Sequence, residues 1–280
     1  MTETGTAPDV QIRRAKPEDA EICGRICYDA FGTINDQHNF PREWPSPEFA
    51  GHVLGMLFSH PHFYCVAAEV DGRIVGSNCL DERAVIAGVG PITVDPAVQN
   101  RRVGRALMQA VLDRAREQKA AGVRLLQGAF HNRSYALYSG LGFEVREPAA
   151  VMSGRPKGGA IAGCSVRPAR AADLPTCDEL CRRVHGPDRS LELSDGIASG
   201  SALVVERDGR ITGYASGFGY FGHAVGEANL DVQALMLQAG EIGGPGMIVP
   251  TRNTELFRWC LGNGMRIFMP MTLMSMGLYN

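Results

Sequence analysis

No apolar run in this sequence reaches the ~18 residues that a membrane-spanning helix requires. Charge of one sign is equally scarce. Lys and Arg number 28 against 30 Asp and Glu, a formal net charge of -2, which gives no general attraction for nucleic acid or an anionic membrane surface. None of the eight cysteines forms a C-x-x-C pair. Cys23/Cys27 and Cys177/Cys181 are spaced i,i+4, as on one helix face, and read as small packing residues rather than metal ligands or a disulfide framework. The first ten residues, MTETGTAPDV, are polar and acidic, unlike a secretory signal. These shortages imply a cytoplasmic chain that binds no metal, no nucleic acid and no membrane.

What is present is enough for a large core. Hydrophobic residues make up 45% and charged residues 21% of 280 residues, a length that suggests about two domains. The chain also repeats itself. "IRRAKPEDAEICGRIC" (Ile12 to Cys27) lies over "VRPARAADLPTCDELC" (Val166 to Cys181), with Arg13, Ala15, Asp19, Cys23 and Cys27 meeting identical residues. "AEVDGRIVG" (Ala68 to Gly76) lies over "VERDGRITG" (Val205 to Gly213), each with a D-G hairpin signal. A weaker pair sets "LYSGLGF" (Leu137 to Phe143) over "WCLGNGM" (Trp259 to Met265). Three matches in one order predict two copies of one α/β unit, at 10–152 and 164–280, joined by the glycine-rich "SGRPKGGAIAG" (Ser153 to Gly163).

One stretch of the first copy carries chemistry. "ITVDPAVQNRRVGRALM" (Ile92 to Met108) reads as a strand, a basic bend and a helix. Val103, Leu107, Ala110, Val111 and Ala115 form its apolar stripe. A helix start exposes backbone N–H groups without partners and partial positive charge, a ready anion site. Gly104 permits close approach of a ligand, and Arg101, Arg102 and Arg105 add full charges. An ordinary βα turn with solvated arginines is the plain alternative.

The same stretch resembles the acetyl-CoA-binding motif of the GNAT N-acetyltransferase superfamily, Q-x-x-G-x-G after a strand, with Gln99 and Gly104 in register. "HNRSYALYSGLGF" (His131 to Phe143) resembles the family's second motif, N-x-x-A-x-x-L-Y-x-x-x-G-F, and the likeness covers roughly residues 10 to 152. Two departures stand out: Arg102 occupies the usual first glycine, and His131 the usual asparagine, with Asn132 following. The resemblance implies two GNAT-like domains, each a mixed, mainly antiparallel sheet flanked by helices. It implies an acyltransferase that passes an acetyl group from acetyl-CoA to an amine by direct attack. Ile92, Thr93 and Val94 would pair with the pantetheine arm, and Asn100, Arg101, Arg102, Val103, Gly104, Arg105 and Ala106 would hold the pyrophosphate. Gln99, Asn132 and Tyr138 complete the implied cofactor set. Tyr138 would protonate the departing thiolate, and a backbone N–H near Val94 would stabilise the oxyanion.

No general base is evident in "GVGPITV" or "VRLLQGAF", which contain no carboxylate. Asp81, Glu82 and His131 are weak candidates beside water-mediated deprotonation. The acceptor, a small-molecule amine, is expected over "NDQHNFPREWPSPEF" (Asn35 to Phe49), where His38, Glu43 and Trp44 either line a pocket or pack as a rigid surface loop. The second copy has no glutamine-glycine turn, Cys260 stands in the place of Tyr138, and a final strand is expected to be missing. A non-catalytic acyl-CoA-binding or interaction module is the competing reading. Monomer and homodimer are both open.

Overall fold

The structure is a computed structural model and describes residues 10–99, 101–239 and 242–279. The first copy runs β1 (Gln11–Arg14), α1 (Ala20–Gln37), α2 (Pro47–Ser59), β2 (Phe63–Val70), β3 (Arg73–Asp81) and β4 (Ile86–Val94). It continues with α3 (Val103–Glu117), β5 (Gly122–Gly128), α4 (Asn132–Ser139) and β6 (Glu144–Ser153). The second copy runs β7 (Cys164–Pro168), α5 (Leu174–His185), α6 (Ser190–Ser199), β8 (Leu203–Arg207), β9 (Arg210–Ala215) and β10 (Ala224–Gly226). It ends with α7 (Asn229–Gln238), β11 (Met247–Pro250), α8 (Thr254–Gly262) and β12 (Arg266–Gly277). The order of strands and helices is the same in both.

The residues that matched in sequence do the same work in each copy. Arg13 bridges Asp19 at 2.6 Å and Glu69 at 2.7 Å, and Arg167 bridges Asp173 at 2.7 Å and Glu206 at 2.8 Å. Each arginine thus ties its first strand to the helix start and to the next strand. Both D-G pairs turn with positive φ at both residues, 51° and 72° at Asp71-Gly72 and 54° and 74° at Asp208-Gly209. Two such residues make the turn whose twist suits a two-residue hairpin. The third match marks a helix end: Gly142 and Gly264 follow α4 and α8 at φ 97° and 88°, a conformation open to glycine at no steric cost.

Two sheets result, flanked by helices, the larger mixed and mainly antiparallel and the smaller wholly antiparallel. One has eight strands in the order β1-β2-β3-β4-β5-β12-β6-β11, the other four in the order β10-β9-β8-β7. The pairing of β4 with β5 is parallel; the other strand pairs are antiparallel. The apolar stripe of α3 (Val103, Leu107, Val111, Ala115) is buried against one face of the larger sheet, and α1 and α2 cover the other with Cys23, Cys27, Ala50 and Leu54. All eight cysteines are free, and only Cys164 is less than fully buried.

The expectation that the second copy lacks its final strand is overturned. That strand is β12, but it lies in the larger sheet, where it pairs with β5 from Met271↔Gly128 to Gly277↔Gly122 and with β6 on its other side. β11 joins the same sheet through β6. Met274 is fully buried in the first copy's core, and the apolar "RIFMPMTLMSM" is paired along both of its edges there. Among the described residues no helix is long and apolar enough to cross a membrane.

Candidate active site

Strands β4 and β5 pair from Ile86↔Gly122 to Val89↔Leu125 and then separate. Pro91 has no N–H to offer a neighbour. Beside it, β3 advances from Asn78 to Leu80 while β4 goes from Ile92 back to Val89, an extra residue that bulges the strand. Ile92, Thr93 and Val94 remain bonded to β3 through Asn78, Ser77 and Gly76. Their other edge opens into a cleft of about 410 Å³, walled by β4, β5, the starts of α3 and α4, and the last turns of α1.

At one end of the cleft the chain turns into α3. Asp95 accepts from the backbone N–H of Ala97 at 2.9 Å, and Gln99 Nε2 donates to the Val94 carbonyl at 3.3 Å. Arg133, from α4, donates to Gln99 Oε1 across the cleft. Asn100 lies outside the described residues. Arg102 caps α3 in the left-handed region, at φ 66° and ψ 3°. A side chain there costs roughly 1–2 kcal/mol relative to an ordinary helical conformation, so arginine has kept the backbone shape that glycine would supply freely. The backbone N–H of Ala106 is the first to find a helical acceptor, the Arg102 carbonyl at 3.0 Å. Those of Val103, Gly104 and Arg105 therefore precede the helical ladder and face the field of its dipole. A Cβ on Gly104 would meet Leu137 at 3.5 Å and Val94 at 3.8 Å, ordinary contacts; the protein alone does not demand glycine here. Further along α3, Arg114 and Arg116 are paired with Glu82 and Asp113, whereas Arg102 and Arg105 line the cleft.

Tyr138 is buried in α4, 7% exposed, its ring edge-on to Phe143 at 6.1 Å, and it forms part of the cleft wall. Burial raises its hydroxyl above the usual phenol range, so the proton stays on. Beside it, Gln127 Nε2 donates to the His131 carbonyl at 2.9 Å and to Ser134 Oγ at 3.2 Å. Gln127 Oε1 and His131 Nε2 are buried without a hydrogen-bond partner. Burial, with Arg133 and His38 adding to it, pushes His131 down to about 4, so the imidazole is neutral at physiological pH.

Several expected residues lie elsewhere. Asn132 is exposed and Ala106 faces away, and neither is part of the wall; its α4 members are His131, Arg133 and Ser134 in that turn. Arg101 is exposed beside the cleft rather than in it. Asp81 is held by Arg83 at 2.7 and 2.9 Å, and Glu82 by Arg114 at 2.8 and 3.1 Å. Both are ion-pair partners at the far end of β3, and neither is part of the cleft wall. His38 is exposed, bonded through Nδ1 to the Ile34 carbonyl at 3.0 Å and set against Phe130 at 5.4 Å. Trp44 packs on Phe31 and Phe49, each at 6.3 Å. Burial raises the Glu43 carboxyl, which accepts weakly from Asn35 Nδ2 at 3.4 Å. The loop thus packs mainly on its own copy and on Tyr220, which joins Phe40, Phe130 and Leu126 in one apolar cluster. Sequence reasoning missed Gln127, Arg133 and the α1 residues Phe31, Ile34 and Gln37. The lone amide in "VRLLQGAF" was the available signal for the first.

The second copy has the corresponding cleft, about 540 Å³, between β10 and β11. Its helix start is already filled. Asp231 accepts from the Ala228 N–H at 2.9 Å, and Glu227, just before, is gripped by Arg210 and Arg183. The Cys260 thiol, pushed up to about 11 by burial, stands where Tyr138 does.

Comparison with known proteins bears on both the cleft and the fold. Residues 29–143 match the Acetyltransferase (GNAT) family. A protein from Pyrococcus horikoshii superposes with a TM-score of 0.74 at 21% identity, over 100% of this chain and 93% of its own. A GCN5-related N-acetyltransferase from Sphaerobacter thermophilus gives 0.66 at 17% identity over 97% of both chains. A tandem GNAT protein from the clavulanic acid biosynthesis pathway gives 0.60 at 15% identity, over 97% of this chain and 100% of that one. At such identities the superpositions speak for the fold. By sequence, no curated protein matches.

Proposed function

On a chain whose residues 29–143 match the Acetyltransferase (GNAT) family, we propose that the cleft between β4 and β5 binds acetyl-CoA and that the acetyl group passes directly to the amine of a small molecule. The observation that carries this reading is a conjunction at one cleft. An open strand edge leads to a helix start whose N–H groups precede the helical ladder, with arginines beside it, and a buried tyrosine stands in the wall. Acetyl-CoA supplies an activated acyl carbon and a thiolate leaving group. Ile92 to Val94 would pair with its amide-bearing arm. The N–H groups of Val103 to Arg105, with Arg101, Arg102 and Arg105, would meet its phosphates. Tyr138 would give its proton to the sulfur as the carbon–sulfur bond breaks. A phenol is ordinarily a weaker acid than a thiol, but the burial that holds the tyrosine's proton also raises the affinity of a thiolate for one.

Donor binding is assigned to residues 10–152. Residues 164–280, joined through 153–163, act as a degenerate copy, since the Asp231 carboxylate already accepts from the Ala228 N–H at its helix start, where an anion would sit. The competing reading is a module that binds an acyl-CoA without turnover, favoured by a cleft whose charged side chains are arginines. Calorimetry with CoA together with thiol release across a panel of amines separates the two. One site per chain and amine-dependent thiol release are expected. Gly104→Glu should abolish binding by placing a carboxylate against the phosphates. Two sites per chain, or binding unchanged in that variant, would overturn the assignment, and binding without release for any amine would favour the module.

A further inference from the structure

If the cleft takes acetyl-CoA, as read above, its far wall holds one more contact for the donor. Helix α3 follows β4 and α4 follows β5, so the two helices start on the two sides of the opening. Neither has an acidic residue in its first turn. What stands there is cationic: Arg102 at the cap of α3, Arg105 in its first turn, and Arg133 in the first turn of α4. His131, at the cap of α4, is pushed down to about 4 and adds no charge at neutral pH. A cation at a helix start opposes the helix dipole. Here two such starts and three guanidinium groups share one opening. The fold gains no stability from that arrangement, whereas an anion between the two starts is attracted by every part of it.

Arg133 is engaged in a weaker bond than a phosphate would give it. The Asp95 N–H donates to the Val75 carbonyl at 2.8 Å. In an antiparallel pair this turns the polar groups of the preceding residue outward, so the Val94 carbonyl faces away from its partner Gly76. Gln99 Nε2 holds that carbonyl at 3.3 Å, and Arg133 Nη2 donates to Gln99 Oε1 at 2.5 Å. The three groups form a hydrogen-bonded crosspiece from the end of β4 to the start of α4. All three residues line the cleft. The Arg133 bond is exposed and goes to a neutral amide. Among the described residues no carboxylate pairs with this guanidinium, whereas Arg114 and Arg116 are held by Glu82 and Asp113. A hydrogen bond to an ionised partner is roughly twice as strong as one to a neutral partner, and a guanidinium can give phosphate two at once. An exchange of Gln99 for phosphate therefore favours the phosphate.

We propose that Arg133 is a donor-binding residue: its guanidinium leaves Gln99 and closes on the diphosphate of the acyl donor from the wall opposite α3. Gln99 keeps the side chain beside the opening until the donor takes it. The diphosphate is then held from both sides, by the start of α3 and by an arginine of α4.

The test compares the intact protein with Arg133→Met, which removes the charge and the crosspiece together. Calorimetry is run against CoA, dephospho-CoA and pantetheine, the last having the amide arm and thiol without phosphates. The substitution should weaken CoA and dephospho-CoA by one common factor, about 10- to 100-fold. Pantetheine should bind at least as well as before, since no crosspiece is left to open. The salt dependence of CoA binding should become shallower, and Arg133→Lys should recover part of the affinity. Arg133 is exposed, so the thermal midpoints of both variants without ligand should stay near that of the unsubstituted protein, which checks folding. An equal loss for pantetheine and CoA would make Arg133 a brace of the cleft and overturn the proposal. Unchanged CoA affinity would overturn it too, as would a loss seen with CoA and absent with dephospho-CoA, which moves the residue to the 3′-phosphate. Those outcomes leave the donor reading intact; no binding of CoA by the unsubstituted protein would remove both.

Discussion

Tyr138 is the residue on which catalysis and mere binding part company. It makes no hydrogen bond among the described residues, and its ring packs on Phe143, so Tyr138→Phe removes one hydroxyl and little else. If that hydroxyl protonates the leaving sulfur, kcat should fall roughly 10²–10⁴-fold with KM and CoA affinity nearly unchanged, because the contact matters mainly in the transition state. Undiminished single-turnover transfer in the Phe variant would take the tyrosine out of the mechanism. Arg102 gives a different lesson at this scale. From sequence it looked like a lost glycine, and the structure shows the glycine-like backbone retained, φ 66°, beneath a charged side chain.

At the level of elements, the starts of α3 and α7 are the informative pair. They occupy equivalent places; α3 presents arginines, and α7 is closed by its own Asp231 and preceded by Glu227. If the α3 arginines meet phosphates, CoA affinity should drop as salt screens them, and dephospho-CoA should bind more weakly where one of them reaches the 3′-phosphate. Salt-independent binding, equal for both ligands, would return those side chains to the solvent. Much of this level was legible beforehand. The two D-G hairpins, the repeat that sets Arg13 and Asp19 over Arg167 and Asp173, and the apolar stripe of α3 all rest on local signals or strict periodicity. The cleft's polar lining was less so. Gln127 and Arg133 acquire their roles only because β4 and β5 diverge, and that divergence depends on a bulge in β4 opposite β3. Asp81 and Glu82 are a case of opposite kind: near the motif in sequence, they are drawn away by Arg83 and Arg114.

For the whole molecule, three partly buried histidines shape the response to acid. Burial lowers His131, His185 and His223, with neighbouring arginines adding to each. A histidine whose folded pKa lies below its unfolded value contributes stability that is fully present above ~6.5 and lost as pH falls toward the folded value. Thermal midpoints should therefore decline between pH 7 and 5. His223→Phe, which keeps an aromatic ring beside Tyr214 and His185, should flatten that decline; an unaltered slope would show that other groups dominate. The sequence repeat suggested two separable units, but pairing between strands distant in sequence is invisible to periodicity, and β12 belongs to the larger sheet. A fragment ending at Gly163 should accordingly lack a cooperative unfolding transition by circular dichroism, and a cooperative fragment that binds CoA would refute that dependence. The placement of β12 also imposes an order in time. On the ribosome, β5 and β6 emerge first, and the stretch from Ser153 to Arg266 takes on the order of ten seconds more to make at about 5–20 residues per second. Through that interval the nascent first half carries two unpaired strand edges in the middle of its sheet, the kind of surface that recruits other chains. A message that stops early leaves β5 and β6 without the strand between them, so the larger sheet would close only after complete translation.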